Sequence, residues 1–131
     1  MKPFLIREDC WEFDLWVLAP ATNKELDEFL SRQFKIKDKT SDGDFLGRFV
    51  EVFDDGPGES ELAGVIALKK WDGTPKDYDT LSHECLHAAH WFLNSRGLKL
   101  NFKSDEAFCY LLGSLVRRIA EQLNRGRRKC T

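Results

Sequence analysis

The chain has 131 residues, of which 42% are hydrophobic and 32% charged, with a net charge of −2. These values describe one folded domain with enough apolar material for its own core and exclude a disordered polar chain. The near-neutral balance gives no global attraction to nucleic acid or an anionic membrane, and no apolar run approaches the roughly 20 residues that span a bilayer.

The opening segment, Met1 to Asp9, carries an apolar block too short for a signal peptide, so a cytoplasmic location is the expectation. Trp11, Phe13, Leu15 and Val17 then alternate with more polar neighbours, which predicts a strand with one buried face that ends at Pro20. Thr22 and Glu25 form the pattern of a capping box. Leu26, Phe29, Leu30 and Phe34 follow at helical spacing, predicting a helix over Asn23 to Phe34.

Lys35 to Gly43 is polar and reads as a loop. Phe45 to Phe53 is strand-like, Asp54 to Glu61 is dense in turn residues, and Leu62 to Leu68 is an apolar run fit for a well-buried strand. The two runs make an expected antiparallel hairpin. A helix is expected from Thr80 to Arg96, with Leu86, Ala89, Phe92 and Leu93 as its core stripe. Gly97 should terminate it, and Leu98 is placed for the hydrophobic contact of a Schellman motif. Lys99 to Lys103 reads as a short extended piece. Ser104 is a good N-cap for a last helix marked by Phe108, Leu111, Leu115, Ile119 and Leu123. The basic tail, about residues 124–131, is expected to fray. One domain over residues 1–131 is the expectation.

The four cysteines, Cys10, Cys85, Cys109 and Cys130, form no C-x-x-C pair, so free thiols are expected and a structural zinc is not. The chemistry lies at His83-Glu84-Cys85-Leu86-His87. Two histidines four residues apart stand on one helix face, where both imidazoles can reach one zinc ion. Glu84, about 100° round the helix, can address a metal-bound water. His90 stands about 10.5 Å of helix rise from His83, too far to join both, and is expected in a supporting or surface position. Cys109 has apolar surroundings and reads as a packed thiol. Glu106, in the first turn of the last helix, is the preferred third ligand, although an acidic residue there also suits the helix dipole.

His83-Glu84-x-x-His87 followed by Asp105-Glu106-Ala107 resembles the gluzincin branch of zinc metallopeptidases, and the chain is also similar to small phage-encoded proteins with a His-Glu-Cys-x-His core. The resemblance covers about residues 62–120. It implies a small zincin-like α+β domain: an antiparallel sheet of three or four strands packed on the histidine helix and the C-terminal glutamate helix. It also implies an edge strand beside the metal helix that can pair with an extended substrate. Tyr110 stands where thermolysin-like members carry a supporting aspartate.

The expected function is zinc-dependent peptide hydrolysis. His83, His87 and Glu106 would hold Zn²⁺, Glu84 would act as general base, and Tyr78, Tyr110 or His90 would serve as a supporting residue or oxyanion donor. The alternative is a catalytically weak or inactive module that binds a partner protein. The expected partner is a protein or peptide, and the chain itself a monomer or small oligomer. The Arg/Lys cluster of the tail hints at nucleic acid, but a solvated terminus is the simpler account.

Overall fold

The computed structural model describes residues 2–37, 43–53 and 62–129. The turn read over Asp54 to Glu61, part of the loop before Gly43, and Cys130 lie outside the described residues. The elements in chain order are β1 (Phe4–Glu8), β2 (Phe13–Leu18), α1 (Asn23–Phe34), β3 (Gly47–Phe53), β4 (Leu62–Leu68), α2 (Pro75–Ser95) and α3 (Asp105–Lys129).

The strands form one sheet in the order β1-β2-β4-β3. β1 and β2 are antiparallel, with Phe4 opposite Val17, and β3 and β4 are antiparallel, with Phe49 opposite Ile66. β2 and β4 run parallel, with Trp16 opposite Val65. The sheet is therefore mixed, which corrects the expected antiparallel one. Apolar periodicity reports which side chains are buried, but not the direction of the neighbouring strand. β4 is buried along its whole length because it is an inner strand covered on both faces, and so reads as a continuous apolar run.

One face carries α1. Leu26, Phe29 and Leu30 pack there with Leu18, Val52, Val65 and Ala67. The Thr22 hydroxyl accepts from the Glu25 N–H while the Glu25 carboxylate accepts from the Thr22 N–H, so the expected capping box forms at the predicted start. The other face carries α2 and α3. Phe13, Leu15 and Val17 from β2 and Ile66 and Leu68 from β4 meet Leu81, Cys85, Ala88, Phe92, Leu111, Leu115 and Ile119. Phe13 and Phe92 stack with centroids 3.7 Å apart at the centre of this layer.

α2 begins five residues before the predicted Thr80. Thr74 caps it, Pro75 opens it, and Asp77 returns the capping bond to the Thr74 N–H. It ends as the sequence predicts: the Leu98 N–H donates to the Leu93 carbonyl and the Gly97 N–H to the Asn94 carbonyl, with Gly97 at φ +85. This is the Schellman pattern, and the left-handed backbone suits glycine. The piece expected to be extended is a turn, in which the Asn101 side chain accepts from the Lys103 N–H and the Ser104 hydroxyl accepts from the Asn101 N–H. α3 continues through the basic segment to Lys129, past the expected end near Leu123.

The two long helices form an antiparallel hairpin. At one end the Asn124 side chain donates to the Tyr78 hydroxyl and accepts from the Trp71 indole; at the other, the His90 and Phe108 rings lie 6.1 Å apart. No helix among the described residues is long and apolar enough to cross a membrane. The architecture is a small α+β domain with a four-stranded mixed sheet and three helices, and it carries no metal-binding cluster among the described residues. In both respects it differs from the expected zincin-like domain.

Candidate functional site

The motif residues lie in the middle of α2, on the side next to β3. Gly47, the first residue of β3, lets the helix approach. A Cβ at that position would sit 2.7 Å from Thr80 Cγ2 and 2.9 Å from Glu84 Cγ. The contact brings the Glu84 carboxylate to the rim of β3, where it accepts the Phe49 backbone N–H and is only 6% exposed. Burial raises the Glu84 pKa above its ordinary value. The charges of His83, His87 and Arg48, together with the Phe49 N–H, offset part of that rise.

His83 and His87 face solvent one turn apart, as their spacing requires. Their Nε2 atoms are 3.2 Å apart and their rings meet edge to face with centroids 4.8 Å apart. A contact of that length is a hydrogen bond when one imidazole is neutral and accepts from the other, and protonation of both rings would break it. His90 is exposed farther along the same ridge, and Tyr110 is exposed on α3. The Tyr78 hydroxyl is engaged by Asn124, and its ring packs against Trp71 with centroids 5.0 Å apart.

Glu106 is exposed in the first turn of α3. The antiparallel register, fixed by Tyr78 against Asn124 and His90 against Phe108, sets the level of Glu106 near Asn94. That is roughly 10 Å of helix rise beyond His87. Among the described residues, no three His, Cys, Asp or Glu side chains converge so as to hold a metal ion. A catalytic zinc needs three protein ligands, and the geometry brings together only the histidine pair.

The expectations of a Zn²⁺ cofactor, of gluzincin character and of metallopeptidase activity are therefore corrected. The pentapeptide is present, but among the described residues no metal centre is assembled. The physical reason is helix length: α2 continues two further turns past His87 before the chain reverses, which carries the start of α3 past the level of the histidines.

Cys85, inside the same motif, is fully buried, and burial together with the Glu84 charge pushes its thiol up to about 12. It is a packing residue and not a nucleophile. The residues that sequence reasoning missed are Asp77 and Gly47. Asp77, buried under the start of α2, accepts from the backbone N–H groups of Asp72 and Thr74. Thr74-Pro75-x-Asp77 is itself a capping-box pattern with proline in the first turn, so the signal was in the sequence. Nothing local marks Gly47, because its role lies in a contact across the fold.

No protein-family model, curated protein or solved structure matches the chain.

Proposed function

We propose that this domain acts by binding a partner protein, through the outward face of the α2–α3 hairpin, and not by hydrolysing peptide bonds. The observation that supports this reading is where exposed apolar side chains collect. Of the five large hydrophobic residues exposed among the described residues, four belong to this hairpin: Leu86, Leu100, Phe102 and Tyr110. Phe102 is 100% exposed and Tyr110 76%. Apolar side chains concentrated on one segment mark interaction surfaces, and aromatic residues are the commonest anchors of such contacts.

The histidine ridge borders this face with polar groups, as the rim of a protein interface usually is. Gly113 on α3 is also exposed, with open space where a side chain would stand. In this reading the exposed histidines contribute hydrogen bonds to a partner, and Glu84 serves the fold by holding β3 against α2.

The experiment compares three purified proteins: wild type, Leu86→Ser/Tyr110→Ser, and Glu84→Gln. Each is used as bait in its source lysate and assayed for hydrolysis of unfolded casein with added zinc. The expected result is a partner retained by wild type and Glu84→Gln and lost by the double variant, with no hydrolysis by any. Zinc-stimulated cleavage that disappears in Glu84→Gln would overturn the proposal, as would retention indifferent to Leu86 and Tyr110.

A further inference from the structure

At the far end of the hairpin from that face, a cavity of about 920 Å³ lies where the N-terminal segment, the end of β2 and the last turns of α3 meet. Phe4, Pro20 and Trp71 give it apolar walls, and Lys2, Arg125 and Arg127 bring positive charge to it. None of the residues lining it is acidic, and among the described residues no ion pair involves these three cations.

Two of the cations come from the end of α3 and the third from the opposite end of the chain. Basic residues at a helix C-terminus are expected from the helix dipole alone. That account does not cover Lys2, nor the presence of three like charges around one concavity in a chain of net charge −2. Like charges around one concavity repel one another, and an anion among them relieves that repulsion.

Gly73, at φ +76, packs against the Arg127 guanidinium: a Cβ there would fall 2.4 Å from Arg127 Nη1 and would push this flexible side chain aside. The Trp71 indole, which forms part of the wall, is tied to α3 by its hydrogen bond to the Asn124 side chain.

We infer that this cavity binds a small organic anion, specifically a phosphomonoester carried on a flat ring system, as in a nucleoside monophosphate. Arginine suits the phosphate because its planar fork donates to two oxygens at once, and aromatic and proline walls suit a flat ring.

The test is titration of the full chain with adenosine monophosphate, following the Trp71 Nε1–H resonance, with adenosine and inorganic phosphate titrated separately. The expected result is a saturable shift with the monophosphate and binding at least about ten-fold weaker for each half alone. Arg127→Ala should weaken binding about ten-fold, and Arg127→Lys less. Lys2→Ala, at the chain end and outside the core, should also weaken it. Absence of a saturable shift, equal binding of inorganic phosphate, or unchanged affinity in both Arg127→Ala and Lys2→Ala would overturn the inference. None of these variants touches Leu86 or Tyr110, so the outcome is independent of the partner-binding proposal.

Discussion

Gly64 of β4 lies beneath the ring of Phe49 on β3: a Cβ at residue 64 would stand 2.6 Å from Phe49 Cε2 and 3.2 Å from Phe92 Cζ. The missing side chain makes room for an aromatic layer in which Phe49 meets Phe92 and Trp91, with centroids 6.1 Å away in each case. That layer joins the sheet to the middle of α2, and so places the histidine ridge beside β3.

Gly64→Ala should therefore destabilise the fold by roughly 1–3 kcal/mol through overpacking, because rigid rings cannot yield as a flexible side chain would. Gly113→Ala should do the reverse. Residue 113 lies inside α3 with nothing within 4 Å of an added Cβ, so alanine should stabilise by about 0.5–1 kcal/mol through helix propensity. Urea unfolding of both variants beside wild type reads the two signs. Equal effects would show that the Gly64 contact relaxes freely.

Asp77 gives a prediction at acid pH. Burial raises its pKa, but the Asp72 and Thr74 backbone N–H groups, the Thr74 hydroxyl and the Lys70 charge outweigh that effect and leave it below the usual 3.8. A depressed folded pKa contributes stability that is present above the unfolded value and is lost as pH falls through the folded one. Asp77→Ala should cost roughly 1–3 kcal/mol at neutral pH, by uncapping α2 and stranding buried donors, and this cost should shrink below pH 3.8. Denaturant midpoints measured across the acid range check both parts.

Periodicity made much of this fold legible. The bounds of α1 and β4, the β3–β4 hairpin and the Schellman end of α2 all follow from local patterns of apolar, capping and glycine residues. β1 is not legible because a five-residue strand has little period to show, and the parallel pairing of β2 with β4 leaves no local trace. The histidine pair was legible for the same reason as the helix that carries it. Leu86 was expected in the core but is 45% exposed, since a three- or four-residue step does not say which of two neighbouring ridges faces inward. The level of α3 against α2 depends on where the hairpin turns, and residues four apart carry no information about that.

Glu84 should act on stability with the opposite sign to Asp77. Its folded pKa is raised above its ordinary value of 4.5, first by burial, so its carboxylate is held at a cost wherever it is ionised. A raised folded pKa means stability that is full below the unfolded value and declines as pH rises through the folded one. Glu84→Gln keeps an acceptor for the Phe49 N–H and removes the charge. Relative to wild type, the variant should therefore gain stability progressively as pH rises above 4.5. Urea titrations of both proteins from mildly acid to neutral pH give this difference directly. A difference independent of pH would mean that the charges of His83, His87 and Arg48 fully compensate the burial.

The metal question has a separate readout in stability. A zinc ion held by side chains from two helices would bind the folded chain and not the unfolded one, so its removal would lower the unfolding midpoint. Among the described residues only His83 and His87 converge, with Glu106 level with Asn94, so no such linkage is expected. Excess chelator should leave the thermal midpoint of the purified chain unchanged, and Glu106→Ala should match wild type in both midpoint and metal content. His83→Ala should likewise be tolerated within about 0.5 kcal/mol, because an exposed ring gives up only a solvent-screened hydrogen bond to its neighbour. Stoichiometric zinc lost together with stability in Glu106→Ala would require α3 to slide toward His87 along the hairpin. That movement would break the Asn124 bonds to Tyr78 and Trp71 that fix the present register.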